Sequence, residues 1–220
     1  HIIVQNSFDL KFLKEKFNLK DDNISKLNGS GIVIKKEKFI EKKNIILFPA
    51  RVLAHKGINE FIKAATYLKK KYTTWKFVVI GSYEYENPAK INLKSIQSLK
   101  KKKIIEFLNH RNDIKNFFLK SKIVCLPTYR EGLPKSLIEA CSMGLPIVTT
   151  NIPGCELVVK NNYNGFKVPI KNVPKLILAL EKLIKSRNLR NKFGKKGLKI
   201  AKDNFNIENI IKRHIKIYKQ

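Results

Sequence analysis

Two stretches of this 220-residue chain carry side chains suited to holding an anion and a sugar. The first is Glu131-Gly132-Leu133-Pro134-Lys135-Ser136-Leu137-Ile138-Glu139. Gly132 permits close ligand approach, and Pro134, with fixed φ and no N–H, suits the first turn of a helix. The N–H groups exposed at such a helix start, together with the helix dipole, favour an anion such as phosphate. Arg130 and Lys135 flank that point. A cation in the first turn opposes the dipole unless an anion lies between them. Glu131 precedes the helix and Glu139 lies about one and a half turns inside it, where both can accept hydrogen bonds from sugar hydroxyls. A plainer reading stands beside this one. Glu131 caps the helix and Glu139 pairs with Lys135 at i,i+4, although a Glu–Lys pair prefers the opposite order. The second stretch is Arg51-x4-Lys56-Gly57. Arg51 can grip phosphate through two hydrogen bonds and Lys56 can add a point charge. Either could equally be a solvated charge among the 46 basic residues.

The elements that must position these residues follow from the hydrophobic pattern. Short apolar runs at 45–49, 76–80, 104–108, 123–126, 147–149 and 166–168 read as strands. Between them, helices are expected at 58–68, 89–102, 113–119 (capped by Asn112 or Asp113) and 135–142. The tail reads as three helices, 173–185, 189–203 and 207–218. Continuous apolar strands alternating with amphipathic helices predict an α/β fold, a doubly wound parallel sheet covered on both faces. This Rossmann-like domain is expected over 44–203. Ligands bind such sheets at the carboxyl ends of the strands, and both stretches directly follow a strand. Residues 1–43 read differently: a strand at 2–4, a helix at 8–17, a strand from 24 broken by Asn28-Gly29-Ser30-Gly31, then a charged connector. A lone β-α-β unit cannot cover its own apolar faces, so this is expected to be the trailing piece of a preceding domain. A start at His1 rather than Met agrees with that expectation.

Composition sets outer limits. Hydrophobic residues make up 43% of the chain and charged residues 29%, which supports a core and argues against overall disorder. No apolar run approaches the roughly 20 residues that span a bilayer. The formal charge is +29, which suggests an anionic partner. Yet 40 of the basic residues are Lys and 6 are Arg, and Arg is the residue favoured for base and phosphate recognition. Lys, Ile and Asn are all abundant and share AT-rich codons, which offers a compositional source for the excess. Cys125, Cys141 and Cys155 fit no common zinc or disulfide spacing. Their pattern suggests core thiols in a reducing, cytoplasmic compartment.

Several motifs now occur together and in order: Arg51-x4-Lys56-Gly57-Ile58-x2-Phe61-x3-Ala65, Glu131-Gly132-Leu133-Pro134-x4-Glu139-Ala140-x2-Met143-Gly144-x-Pro146-Ile147-Val148, Gly154-x-Glu156-Leu157-Val158, and Asn164-Gly165. This series resembles the retaining GT-B-type glycosyltransferases of family four, from about residue 28 to the C-terminus. The resemblance implies the Rossmann-like C-terminal, donor-binding half of a GT-B fold. By it, Arg51 and Lys56 hold the donor diphosphate and the amides of Gly132 and Leu133 add to that grip. Glu131 takes the donor sugar, Glu139 the ribose, and the Asn109-His110-Arg111 turn the nucleobase. His110 can also be an ordinary polar loop residue. The resemblance further implies retention of configuration, no cofactor and no required metal. It implies that the half alone binds donor weakly and turns over poorly.

The subgroup pattern Tyr129-Arg130-Glu131-Gly132-Leu133-Pro134 with Pro153-Gly154-Cys155-Glu156 looks like transferases of surface polysaccharide or lipid-linked oligosaccharide. The expected donor is a UDP-sugar, an N-acetylhexosamine foremost. The expected acceptor is lipid-linked or polysaccharide, met at the inner face of the plasma membrane. The lysines at 100–103 could assist peripheral contact with anionic lipid. A stripe of Ile207, Ile210, Ile211, Ile215 and Tyr218 fits either return of the last helix (204–220) to the other domain or packing on its own. The competing readings are a nucleotide-sugar epimerase or phosphorylase on a similar fold, and a basic nucleic-acid-binding module. The last predicts aromatic platforms or Arg stripes that do not stand out, so no nucleic-acid partner is expected.

Overall fold

The computed structural model describes residues 1–35, 40–84 and 86–219, with backbone alone for 93–95. The expected connector at 35–43 therefore lies partly outside the described residues. The main sheet is built from runs with no polar alternation. β3 (Ile45–Pro49), β4 (Lys76–Ile80), β5 (Ile105–Leu108), β6 (Ile123–Leu126), β7 (Ile147–Thr150) and β8 (Gly165–Val168) pair in parallel in the order β5-β4-β3-β6-β7-β8. Ile46, Leu47 and Phe48 of β3 are wholly buried, as a strand covered on both faces requires. This is the doubly wound parallel sheet expected from the sequence.

Helices cover both faces. They are α2 (Ile58–Lys71), α3 (Leu93–Lys101), α4 (Ile114–Lys120), α5 (Lys135–Ser142), α6 (Pro153–Glu156), α7 (Val173–Lys185), α8 (Arg187–Phe205) and α9 (Ile207–Tyr218). α2 packs on α7 and α5 on α8. The α2 stripe delivers Phe61 between Phe48 and Phe77, with ring centroids 5.1 and 6.0 Å away. Such tilted and edge-on contacts are favourable aromatic geometries. Asn172 and Ser186 cap α7 and α8 through their side chains, which accept from the N–H groups of Lys175 and Leu189.

Several boundaries differ from expectation by one to four residues, two of them for evident local reasons. α3 begins at Leu93 rather than 89, because the Asn87 amide oxygen accepts the Ala89 N–H and forms a turn there. Asp113 stands at the α4 N-cap position but makes no side-chain cap; its carboxylate is taken by Arg111. The short α6 begins at Pro153, which occupies its first turn, and has no counterpart in the hydrophobic pattern.

The N-terminal residues form β1 (Ile2–Val4), α1 (Ser7–Phe17) and β2 (Ile24–Lys26), with β1 and β2 pairing in parallel as a separate sheet. Asn6 caps α1 by accepting the Asp9 N–H. Residue 32 then bridges to Asn206, so the chain passes beside the junction of α8 and α9.

Candidate functional site

β3 and β6 are neighbours in the sheet, Ile46 opposite Ile123 and Leu47 opposite Val124. The chain leaves them in opposite directions, β3 toward β4 and β5, β6 toward β7 and β8. Strand order thus reverses between them, and a crevice opens at their carboxyl ends. Both sequence motifs border this point. The loop after β3 carries Arg51, a short 3-10 turn at Ala54–Lys56, and Gly57 ahead of α2. The loop after β6 carries Glu131, Gly132 and Leu133 ahead of α5.

The two loops are joined by the backbone. The His55 carbonyl accepts the Tyr129 N–H at 2.8 Å and the Thr128 hydroxyl at 3.1 Å. The Thr150 hydroxyl donates to the Thr128 carbonyl from β7. Gly57 has φ +78°, and a Cβ there would lie 2.0 Å from the Pro127 carbonyl oxygen. A Cβ on Gly154 would lie 2.2 Å from the Glu131 oxygen, so α6 supports the second loop from below. Across this frame the Lys56 Nζ donates to the Glu131 Oε1 at 2.5 Å, with the side chains 14% and 17% exposed. A charge-assisted bond of this kind, largely withdrawn from solvent, fixes both groups before any ligand arrives.

Arg51 takes a different partner. Its Nη1 donates to Glu84 Oε1 at 2.8 Å, in the loop after β4, and Glu84 also accepts from the Asn87 amide at 2.7 Å. These two bonds hold the Glu84 carboxyl below its usual range. His55 lies among Arg51, Lys56, Glu131 and Glu84. Burial first, then repulsion from Lys56 and Arg51, lowers its pKa, so the ring is neutral at pH 7. The sequence reading passed over His55 and Glu84. His55 had a signal, its place inside the Arg51-x4-Lys56 spacer. Glu84 had only its position after a strand adjacent to β3.

Gly132 and Leu133 lead into the start of α5, where Pro134 is the N-cap residue and no acid occupies the first turn. The Gly132 carbonyl accepts from the Asn6 amide at 3.1 Å, which ties the N-terminal piece to this loop. Glu139 opens elsewhere. It lines a cleft of about 320 Å³ with Lys135, Lys115, Phe118 and Gly31, and neither Lys56 nor Glu131 lines it. Burial raises the Glu139 carboxyl above its usual range, with Lys135 opposing. The site therefore has two compartments flanking the start of α5: an ionic one at Lys56 and Glu131, and a half-buried one at Glu139. Arg111 donates to Asp113 at 2.6 and 3.1 Å and lies 5.3 Å over the Phe117 ring. It points along α4. His110 is exposed beside it. The structure does not bring these two residues to the Lys56–Glu131 pair.

All three cysteines are buried, and burial pushes the thiols of Cys141 and Cys155 up to about 12, as suits core groups. Among the described residues, no three His, Cys, Asp or Glu side chains gather as a metal-ligand group. Among the same residues, no helix is long and apolar enough to cross a membrane.

Comparison with known proteins agrees with this geometry. A family described as glycosyl transferases group 1 matches residues 32–200. The chain is 32% identical over 234 residues to the N,N'-diacetylbacillosaminyl-diphospho-undecaprenol alpha-1,3-N-acetylgalactosaminyltransferase of Campylobacter jejuni, covering 98% of this chain and 59% of that protein. It is 34% identical over 169 residues to the UDP-Gal:alpha-D-GlcNAc-diphosphoundecaprenol alpha-1,3-galactosyltransferase of Escherichia coli, covering 71% and 43% respectively. A solved structure of a TarM mutant from S. aureus, with Fondaparinux, alpha-GlcNAc-glycerol and UDP, overlays with TM-score 0.86 at 19% identity. That overlay covers 99% of this chain and 43% of TarM, and shows the shared fold. The chain spans about half the length of the curated relatives it matches. With its parallel sheet, its strand-end crevice and a family match over most of its length, the chain belongs to the glycosyl transferases of group 1.

Proposed function

We propose that this chain is the donor-binding half of a transferase that moves a sugar from a UDP-sugar to a lipid-linked or polysaccharide acceptor, with retention of configuration, in surface polysaccharide synthesis. The observation that carries the reading is the Lys56–Glu131 pair at the strand-order reversal, in the loops that lead to α2 and to α5, whose N-cap residue Pro134 makes no side-chain cap. A cation holds the carboxylate there, four residues ahead of the helix. The names of the Campylobacter and Escherichia relatives both specify diphosphoundecaprenol-linked acceptors, and the TarM structure holds UDP.

In this mechanism the bond between the anomeric carbon and the diphosphate oxygen breaks, leaving an oxocarbenium-like sugar; the acceptor hydroxyl oxygen bonds to that carbon on the face the diphosphate leaves, and its proton passes to the departing diphosphate. Lys56 and the α5 amides stabilise the charge growing on the diphosphate. Arg51 joins them by leaving Glu84 for the anion, an exchange of one exposed ion pair for a phosphate contact. Glu131, released by Lys56, accepts from a donor-sugar hydroxyl. Glu139 accepts from the ribose within its own cleft. His110 and Arg111 stand on the side of the base. The cations supply the charge neutralisation, so no cofactor is called for. The acceptor is met at the inner face of the membrane, where the exposed lysines at 100–103 contact anionic lipid.

The test is transfer by the complete protein, with a panel of UDP-sugars including UDP-N-acetylgalactosamine and an undecaprenyl-diphosphate-linked saccharide. The expected product keeps the donor's anomeric configuration by NMR and forms in the presence of EDTA. Lys56→Ala is expected to lower kcat by about 10²-fold or more, the scale for losing one preorganised contact to developing charge. Inverted product, or transfer abolished by EDTA and restored by a divalent ion, contradicts the mechanism.

A further inference from the structure

At the opposite end of the sheet, where the strands begin, lies a cavity of about 550 Å³ that the donor reading does not use. It is lined by Lys42 ahead of β3, Lys122 at the entry to β6, Pro146 at the entry to β7, and Arg187 and Arg190 in the first turn of α8. Glu41 is the carboxylate on its wall. Strands of four or five residues separate it from the donor crevice, roughly 15 Å at about 3.3 Å per residue.

Three features set this cavity apart from the diffuse basic background. First, two of the six arginines of a lysine-dominated chain converge on it. Arginine presents the planar fork that fits phosphate oxygens. Second, two of its cations are held by neutral groups. Arg190 Nη1 donates to the Leu183 and Ile184 carbonyls at 2.6 and 2.9 Å, and its guanidinium lies 5.5 Å over the Trp75 ring. Lys122 Nζ donates to the Asn44 amide oxygen at 2.7 Å. Among the described residues none of the four cations forms an ion pair with a carboxylate. Third, the group repels itself. Burial, then Arg190 and Arg187, lowers the Lys122 pKa against the opposing pull of Glu41, and burial and then Arg187 lowers that of Arg190; Lys42 is brought to about 8 by burial rather than by repulsion. The start of α8, with no acid in its first turn, adds the positive end of a 19-residue helix.

We propose that this cavity is a second anion site, separate from the donor crevice, that takes a phosphate-bearing group. A bound dianion neutralises charges that otherwise face one another, and its oxygens accept from a preorganised guanidinium. The phosphate can belong to a small soluble molecule or to a lipid headgroup, since both present the same oxygens.

The experiment titrates pyrophosphate into the chain by calorimetry with the donor crevice saturated by UDP. In parallel, sedimentation is measured with phosphatidylglycerol-containing and pure phosphatidylcholine vesicles. Arg187→Glu is the working variant. Arg187 is exposed, and an acid at that helix start agrees with the dipole, so folding is retained. Lys122→Gln serves as a second variant. Pyrophosphate binding that persists under UDP and weakens about tenfold or more in both variants, with UDP binding unchanged, supports a soluble ligand. Binding only to phosphatidylglycerol vesicles, lost in both variants, supports the headgroup. Displacement of pyrophosphate by UDP, no binding of either probe, or binding indifferent to both variants overturns the proposal. The outcome does not depend on the transferase reading, because UDP binding is measured separately in the same samples.

Discussion

Lys56 and Glu131 stand 75 positions apart in sequence and 2.5 Å apart in the fold. Each is 17% exposed or less, so the pair falls between a surface ion pair, worth about 0–1 kcal/mol, and a buried one, costing about 3–5 kcal/mol to break. Glu131→Gln is expected to lower unfolding stability by about 1–2 kcal/mol in urea melts, and Lys56→Met with it to recover part of that loss. Glu139 behaves in the opposite way. Its folded carboxyl is raised by burial, so it holds its proton better folded than unfolded. The folded state therefore loses stability as pH rises through the raised value, and carries that cost at pH 7. Glu139→Gln should raise the melting temperature of the ligand-free chain at pH 7. The gain should vanish below the carboxyl's ordinary value of 4.5. A variant no more stable at pH 7 than the native chain contradicts the burial argument. That the loops carrying Lys56 and Glu131 border one crevice was legible, because both follow apolar strands of one parallel sheet; the ion pair between the two side chains was not. The Arg51–Glu84 bond was not, because it depends on how the loop after β4 folds back, and nothing in residue spacing encodes that path. The plainer reading of Glu131 as a helix cap gives way to its bond with Lys56, while Lys135 acts on Glu139 through space.

The elements hold the site by close backbone approach as much as by side chains. Gly57→Ala would combine left-handed strain, about 1–2 kcal/mol, with a Cβ against the Pro127 carbonyl, about 1–3 kcal/mol of overpacking. A loss of about 2–5 kcal/mol in unfolding free energy is expected, read by urea melts; a loss under 1 kcal/mol contradicts the geometry. The strands were legible throughout, since unbroken apolar runs bounded by polar turns leave little choice. Helix edges were less so, where a local side-chain bond such as Asn87 to Ala89 displaced the start of α3. α6 was missed because four residues are too few to show a helical period. On α9 the apolar stripe divides. Ile210 is buried against the segment at residue 31, whereas Ile211, Ile215 and Tyr218 are exposed. Ile210→Ala should cost about 2–4 kcal/mol and Ile211→Ala less than about 0.5 kcal/mol. Equal costs at both positions contradict that division.

Over the whole molecule the +29 charge is unevenly engaged. At the carboxyl end of the sheet the positions that matter are few, and two of them, Arg51 and Lys56, already hold acids that a ligand must displace. At the other end, among the described residues, four cations and one carboxylate line a cavity. Net charge told of an anionic partner without telling where, because 40 lysines spread over the sequence hide the few that converge. The N-terminal β1-α1-β2 piece is tied to the loop ahead of α5 by the Asn6 amide, which donates to the Gly132 carbonyl. Exposed Phe8, Phe12 and Phe17 on α1 belong to the same piece. The central claim is that a nucleoside diphosphate binds across the start of α5, its phosphates at Lys56 and its ribose in the separate cleft at Glu139. A titration of the isotope-labelled chain with UDP by NMR, up to millimolar concentration, tests it most directly. The account predicts shifts centred on the loops at 50–57, 109–113 and 127–134, on α5 and on the lining of the Glu139 cleft, with affinity about 10–100-fold lower in Lys56→Ala, the scale for losing a hydrogen bond to a charged group. Shifts centred elsewhere, or an affinity untouched by Lys56→Ala and Glu139→Ala, would contradict it.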